Sequence, residues 1–97
     1  MRKLTLVVKP FKVGAVVRAL LSAGATNLTL TEARGYGRQK GHLDLYRDDS
    51  TRVTFLPKVR IECAIEDERV EPAIAAATDA ARTGRIGDGK IFVEELK

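Results

Sequence analysis

The sequence predicts an α+β domain in which two strand-helix-strand units form one antiparallel four-stranded sheet with both helices on one face. Three observations predict it. The apolar period switches from 2 to 3.6 and back in each half of the chain. About twenty residues with little sustained period separate the halves, too long for an ordinary connection. At 97 residues there is room for one domain, residues 1–97, and no second one.

Leu4, Leu6 and Val8 alternate with Thr5 and Val7, which predicts a first strand over residues 2–8, stopped by Pro10. Val13, Val16, Val17, Leu20 and Leu21 then fall on one helical stripe, and Gly24 supplies the left-handed position that commonly ends a helix. Leu28 and Leu30 alternate with Thr29 and Thr31, so residues 26–34 read as a strand with one covered face. After the long loop, about 36–55, strand-like alternation resumes from Val53 to Ile65 through Val59, Ile61 and Cys63. Its tip, Asp48-Asp49-Ser50, is polar and reads as mobile. Glu66, Asp67 and Glu68 complement the dipole of a second helix, Ala73 to Ala81 propagate it, and Pro72 belongs in its first turn. Three glycines break residues 82–89, and Lys90 to Leu96 return to a strand.

The order resembles the ferredoxin-like arrangement, which leaves one sheet face uncovered. Residues such as Val7 and Ala33 on that face predict burial against further copies of the chain.

With 44% hydrophobic and 31% charged residues, and no apolar run near the roughly 20 residues a bilayer needs, the chain is neither disordered nor membrane-spanning. A lone cysteine, Cys63, rules out an internal disulfide, and the opening Met-Arg-Lys-Leu lacks a leader's apolar region; both predict the cytoplasm. The single His42 has no partners at zinc spacing. The net charge of +4 is local: residues 34–60 hold seven Lys or Arg against three acids, and the rest of the chain holds ten of each. Only Tyr36, Tyr46 and Phe55 in that segment could stack on bases, so a nucleic-acid partner is not predicted.

Two segments carry chemistry. Gly84-Arg-Ile-Gly-Asp-Gly-Lys90 has P-loop spacing, with amides and a lysine that suit phosphate oxygens. It follows a helix, opens a strand and continues with Ile91 where Mg²⁺ needs Ser or Thr, so it is no true P-loop. An independently built phosphate loop over about residues 82–90 and a plain glycine-rich turn remain open. Gly35-Tyr-Gly-Arg-Gln-Lys-Gly-His42 is the second segment. Arg38 suits a phosphate fork, Lys40 is a point charge, and the Gln39 amide oxygen suits a hard cation; a solvated basic loop is the alternative.

These two stretches, with Val8-Lys-Pro-Phe-Lys12 and Phe55-Leu-Pro-Lys58, resemble the PII nitrogen-signalling family over essentially the whole chain. The resemblance implies a non-catalytic homotrimer of ferredoxin-like subunits, with ATP or ADP in each cleft between neighbours and 2-oxoglutarate joined to ATP through Mg²⁺. The long loop, the T-loop, then docks on a transporter or a metabolic enzyme. By position it implies Gly37, Arg38, Gln39, Gly87, Asp88, Gly89 and Lys90 on the nucleotide phosphates and Thr29, Glu62 and Ala64 on adenine and ribose. Gln39 would ligate the Mg²⁺. Lys9, Gln39, Lys40, Gly41 and Lys58 would hold 2-oxoglutarate, and Arg47 would dock on the partner, recruiting the protein to a membrane if that partner is a transporter.

The chain departs from the family in two places. Its loop tip reads Tyr46-Arg-Asp-Asp-Ser-Thr51 where many members have Tyr-Arg-Gly-Ala-Glu-Tyr, so the modifiable tyrosine is replaced by Thr51. Ser50 and Thr51 are expected to be unmodified hydroxyls, and Asp48 and Asp49 alter the charge around Arg47. The sequence as given stops at Lys97, where family members usually continue with Arg-Ile-Arg-Thr-Gly-Glu; a chain that lacks that segment is expected to bind ATP more weakly, with ADP or AMP favoured, and one that is only cut short here is not. The alternative functions are a paralogue that senses AMP or ADP with bicarbonate, serving inorganic-carbon or metal transport, and an acylphosphatase-like enzyme. For the latter, neither Cys63 nor His42 has a paired base.

Overall fold

The computed structural model describes residues 1–36, 47–48, 53–85 and 88–96. Strand β1 spans Arg2–Val8, helix α1 Val13–Ser22 and strand β2 Thr26–Tyr36. A two-residue strand β3, Arg47–Asp48, precedes β4, Val53–Ile65; helix α2 covers Val70–Ala81 and β5 Gly89–Glu95. Each helix is entered through a 3₁₀ turn, Pro10–Lys12 and Asp67–Arg69.

The main sheet runs β2-β4-β1-β5 with every neighbouring pair antiparallel, so each βαβ unit places its two parallel strands apart and the other unit's strand between or beside them. This is the ferredoxin-like topology. Alternation sorts the residues by face: Leu4, Leu6, Val8, Ile61 and Cys63 are buried beneath the helices. Lys3, Thr5 and Val7 stand opposite Ala64, Glu62 and Arg60 on the other face.

Helix α1 buries Val16 and Leu20, and α2 buries Ala73, Ala77 and Ala81, an i, i+4, i+8 seam whose small side chains let the helix settle close to its neighbours. A fully buried leucine such as Leu6 contributes about 1.5–3 kcal/mol. Helix α1 ends in a Schellman motif: the Gly24 N–H donates to the Leu21 carbonyl and the Ala25 N–H to the Leu20 carbonyl, with Gly24 at φ 97°. Pro72 is the third residue of α2, where its missing N–H breaks no helical bond.

The expected elements are present, with local corrections. Leu21 belongs to the apolar stripe by sequence but is 55% exposed, because the sheet covers only the part of α1 around Val16 and Leu20. Leu30 is 49% exposed on edge strand β2. A bulge between Thr26 and Thr29, with Asn27 at φ 54°, interrupts the β2–β4 register. The β2–β4 ladder continues to the Tyr36–Phe55 pair, so extended backbone enters the segment expected as loop from both sides. Asp48, expected at the loop tip, pairs with Val53. No helix among the described residues is long and apolar enough to cross a membrane.

Candidate functional site

Helix α2 gives way at Arg82, whose extended backbone (φ −69°, ψ 129°) turns the chain towards β5. The turn is organised by one carboxylate. Asp88 Oδ2 accepts from the Thr83 N–H at 2.8 Å and the Gly84 N–H at 3.1 Å, while Oδ1 accepts from the Thr83 hydroxyl. The Arg85 N–H in turn donates to Thr83 Oγ1 at 3.2 Å. Lys9, just beyond the end of β1, donates to both Thr83 Oγ1 and Asp88 Oδ1 at 3.2 Å. The Thr83 hydroxyl and N–H, aided by Lys9 and the Gly84 N–H, hold the Asp88 carboxyl well below the usual carboxylate range.

Gly89 begins β5 at φ 149°, and a Cβ there would lie 2.5 Å from the Val7 carbonyl oxygen. Only glycine lets the turn pass this close to β1. Lys90 follows opposite Val7, on the uncovered sheet face.

Lys58 completes the cluster from β4 and is 6% exposed. Burial lowers its pKa, repulsion from Lys9 and Lys90 adds to that, and Asp88 opposes it. Lys9 thus meets Asp88 directly, and Lys58, from within β4, feels the charges of Lys9, Lys90 and Asp88 together. Such a group binds anions, and a multivalent anion best. A hollow of about 690 Å³ borders Lys58 on its β2 side, with Pro10, Ala33, Arg34 and Pro57 in its wall.

A second site occupies the opposite end of the uncovered face. Thr29 stands opposite Glu62 across β2 and β4, and both line a pocket of about 310 Å³ with Lys3, Asn27, Ala64 and Leu96. Lys3 Nζ lies 2.7 Å from Glu62 Oε2, and Arg60 Nε lies 3.8 Å from Oε1. The Lys3 hydrogen bond holds the Glu62 carboxyl below its ordinary range and raises the Lys3 ammonium above its own. Ala64 and Leu96 give the pocket apolar wall, while Thr29 and Asn27 bring groups that both donate and accept.

The structure therefore gathers Lys9, Lys58, Asp88, Gly89 and Lys90 at one end of the face, and Thr29, Glu62 and Ala64 at the other. Along β4, Glu62 and Lys58 are four residues apart, about 13 Å of strand. Gly37, Arg38, Gln39, Lys40, Gly41 and Gly87 lie outside the described residues, as do Asp49, Ser50 and Thr51. Arg47 is placed by its backbone pairing with Thr54. The lysine cluster fits a nucleotide's phosphates. Among the described residues no group of three His, Cys, Asp or Glu could hold a metal ion, and Gln39, which the resemblance implies for Mg²⁺, lies outside them.

Sequence reasoning did not find Lys3 or the organising role of Asp88. Spacing identified the glycines and Lys90, but the carboxylate's partners Thr83 and Lys9 are 5 and 79 residues away from Asp88.

The chain matches the family described as "Nitrogen regulatory protein P-II" over residues 1–97. It is similar to the nitrogen regulatory proteins P-II of Rhodospirillum rubrum, at 57% identity, and Azospirillum brasilense, at 56%. It is 52% identical to the nitrogen regulatory protein GlnK of Escherichia coli K12. Each match spans the whole of this chain and 87% of the relative. Fold and sequence agree, and the chain belongs to the nitrogen regulatory protein P-II family.

Proposed function

We propose that this P-II protein acts in the cytoplasm as a homotrimeric sensor of adenine nucleotides and, through them, of 2-oxoglutarate. P-II proteins are signal-transduction proteins and not enzymes, so the output is a change of shape or partner. One observation carries the ligand reading: Lys9 bonds Asp88 at 3.2 Å while Lys58 feels Lys9, Lys90 and Asp88 at once, so lysines outnumber carboxylates among these described residues. A triphosphate or diphosphate offsets that excess charge, and a dicarboxylate beside it is tolerated once Mg²⁺ and Lys58 share its negative charge.

The Thr29, Glu62 and Ala64 pocket takes the nucleoside. It lies at the far end of the same face from the lysines, and joining one copy's pocket to the next copy's cluster covers the open sheet and completes the site. This supports binding between subunits. The β2–β4 ladder that carries Lys58 continues to the Tyr36–Phe55 pair, so the ligand reports along it to the long segment, with Arg47 offered to a transporter or metabolic enzyme. A ligand shifts that segment only by as much as it binds one arrangement better than another.

The test is calorimetry with ATP, ADP and AMP, with and without Mg²⁺ and 2-oxoglutarate, beside sedimentation analysis for a trimer. Saturable nucleotide binding that Lys90→Ala weakens supports the reading. No binding at millimolar nucleotide, with Lys90→Ala indistinguishable from the parent, overturns it.

A further inference from the structure

We infer that Lys3 is a positioning residue of the nucleoside pocket, holding Glu62 so that its second carboxylate oxygen accepts hydrogen bonds from the vicinal hydroxyls of a ribose. The inference rests on the nucleotide reading above and adds to it a determinant of sugar specificity.

The register makes the contact unusual. Thr5 is the residue directly opposite Glu62, whereas Lys3 stands opposite Ala64. Lys3 therefore reaches diagonally over the strand pair, a span that only a long side chain covers. It donates to Oε2 at 2.7 Å, and both side chains are partly withdrawn from water, at 37% and 27% exposure. Oε1 is left with Arg60 Nε at 3.8 Å, beyond hydrogen-bond reach. One oxygen is thus committed to the protein, and the other keeps its accepting capacity beside the pocket that Glu62 lines.

An ionised carboxylate only accepts, so its natural complements are donors: ammonium, amide or hydroxyl. Lys3, with Arg60 behind it, already supplies cationic charge on this side. A second cation in the pocket would be repelled, and neutral hydroxyls are the donors that remain favourable. Two adjacent hydroxyls share one carboxylate oxygen well, and the neighbouring Thr29 and Asn27 suit the polar edge of a heterocycle. Glu94, on β5, acts on Lys3 and leaves it cationic. Without Lys3, the Glu62 side chain has Arg60 as its nearest cation and turns towards it, away from the bound sugar.

Calorimetry with ATP and 2′,3′-dideoxy-ATP on the parent, Lys3→Met and Lys3→Arg tests this. The parent should prefer ATP about tenfold, the scale of one charge-assisted hydrogen bond. Lys3→Met should lose most of that preference while its affinity for the dideoxy nucleotide changes less than about twofold; Lys3→Arg should keep the preference. Equal weakening for both nucleotides would show that Lys3 meets the ligand's charge instead, and an unchanged preference in Lys3→Met would remove its role; either overturns the inference while leaving nucleotide binding intact. A parent that binds neither nucleotide overturns the nucleotide reading and this inference together. Circular dichroism melts of the variants confirm that each is folded.

Discussion

Asp88 and Lys9, 79 residues apart in the chain, meet at 3.2 Å and lock the turn before β5 to the end of β1. The Asp88 carboxylate accepts from two backbone N–H groups, a hydroxyl and an ammonium, so it holds the turn in shape. Asp88→Ala should therefore leave the Thr83 and Gly84 N–H groups without their acceptor. Stability should fall by about 1–2 kcal/mol in urea titrations, and nucleotide affinity by about tenfold.

The same contacts set a pH dependence. The folded-state pKa of Asp88 lies below its unfolded value of about 3.8, so the stability it contributes is fully present above that value and is lost as pH falls below it. Between neutral pH and pH 5 the difference in stability between parent and Asp88→Ala should be constant. Below about pH 4 the difference should shrink, as followed by thermal melts across a pH series. A difference that grows on acidification would contradict this assignment.

Lys58 has the opposite linkage. Its pKa is lowered by burial and by Lys9, so at neutral pH the charged lysine opposes folding, and that cost is relieved as pH rises through its folded pKa. Against Lys58→Met, which has no such titration, the parent should gain stability as pH rises through the lysine's folded pKa, followed by thermal melts across an alkaline pH series. In the variant, binding of 2-oxoglutarate with Mg-ATP should drop at least about tenfold in calorimetry. A parent that loses stability relative to the variant as pH rises would contradict this linkage.

Two glycines should respond differently to the same change. Gly24 has φ 97°, and a Cβ there meets the flexible end of Arg69, which can move aside. Gly24→Ala should cost about 1–2 kcal/mol, the left-handed penalty alone. At Gly89 the added atom meets the Val7 backbone at 2.5 Å, which cannot withdraw without opening the β1–β5 pairing. Gly89→Ala should cost about 3 kcal/mol or more in chemical denaturation, and it should weaken nucleotide binding where Gly24→Ala leaves it unchanged.

The βαβ repeat was legible because Leu4, Leu6 and Val8 alternate while Val13, Val16 and Leu20 step by helical spacing, and both patterns follow directly from which face is buried. Leu21 and Leu30 misled for the same reason: periodicity identifies a face but not how far the covering layer extends. Glycine spacing pointed to the turn before β5, since few other residues fit such backbone. Thr29, Glu62 and Ala64 were legible only through the family resemblance. Taken as residues they continue an ordinary alternation, and their meeting depends on the bulge at Asn27 and on β1 and β2 flanking β4. Lys3 was invisible because its partner is set by a diagonal across strands.

The ladder joining β2 and β4 begins beside the nucleoside pocket, passes Lys58 opposite Ala33 and ends at Tyr36 and Phe55. Described residues of the hydrophobic core stop at Val59 on β4 and Leu28 on β2. Among the described residues, change along this ribbon beyond Pro57 therefore touches none of the core side chains. That separation leaves the packing of the body independent of the sequence carried at the far end of the ribbon.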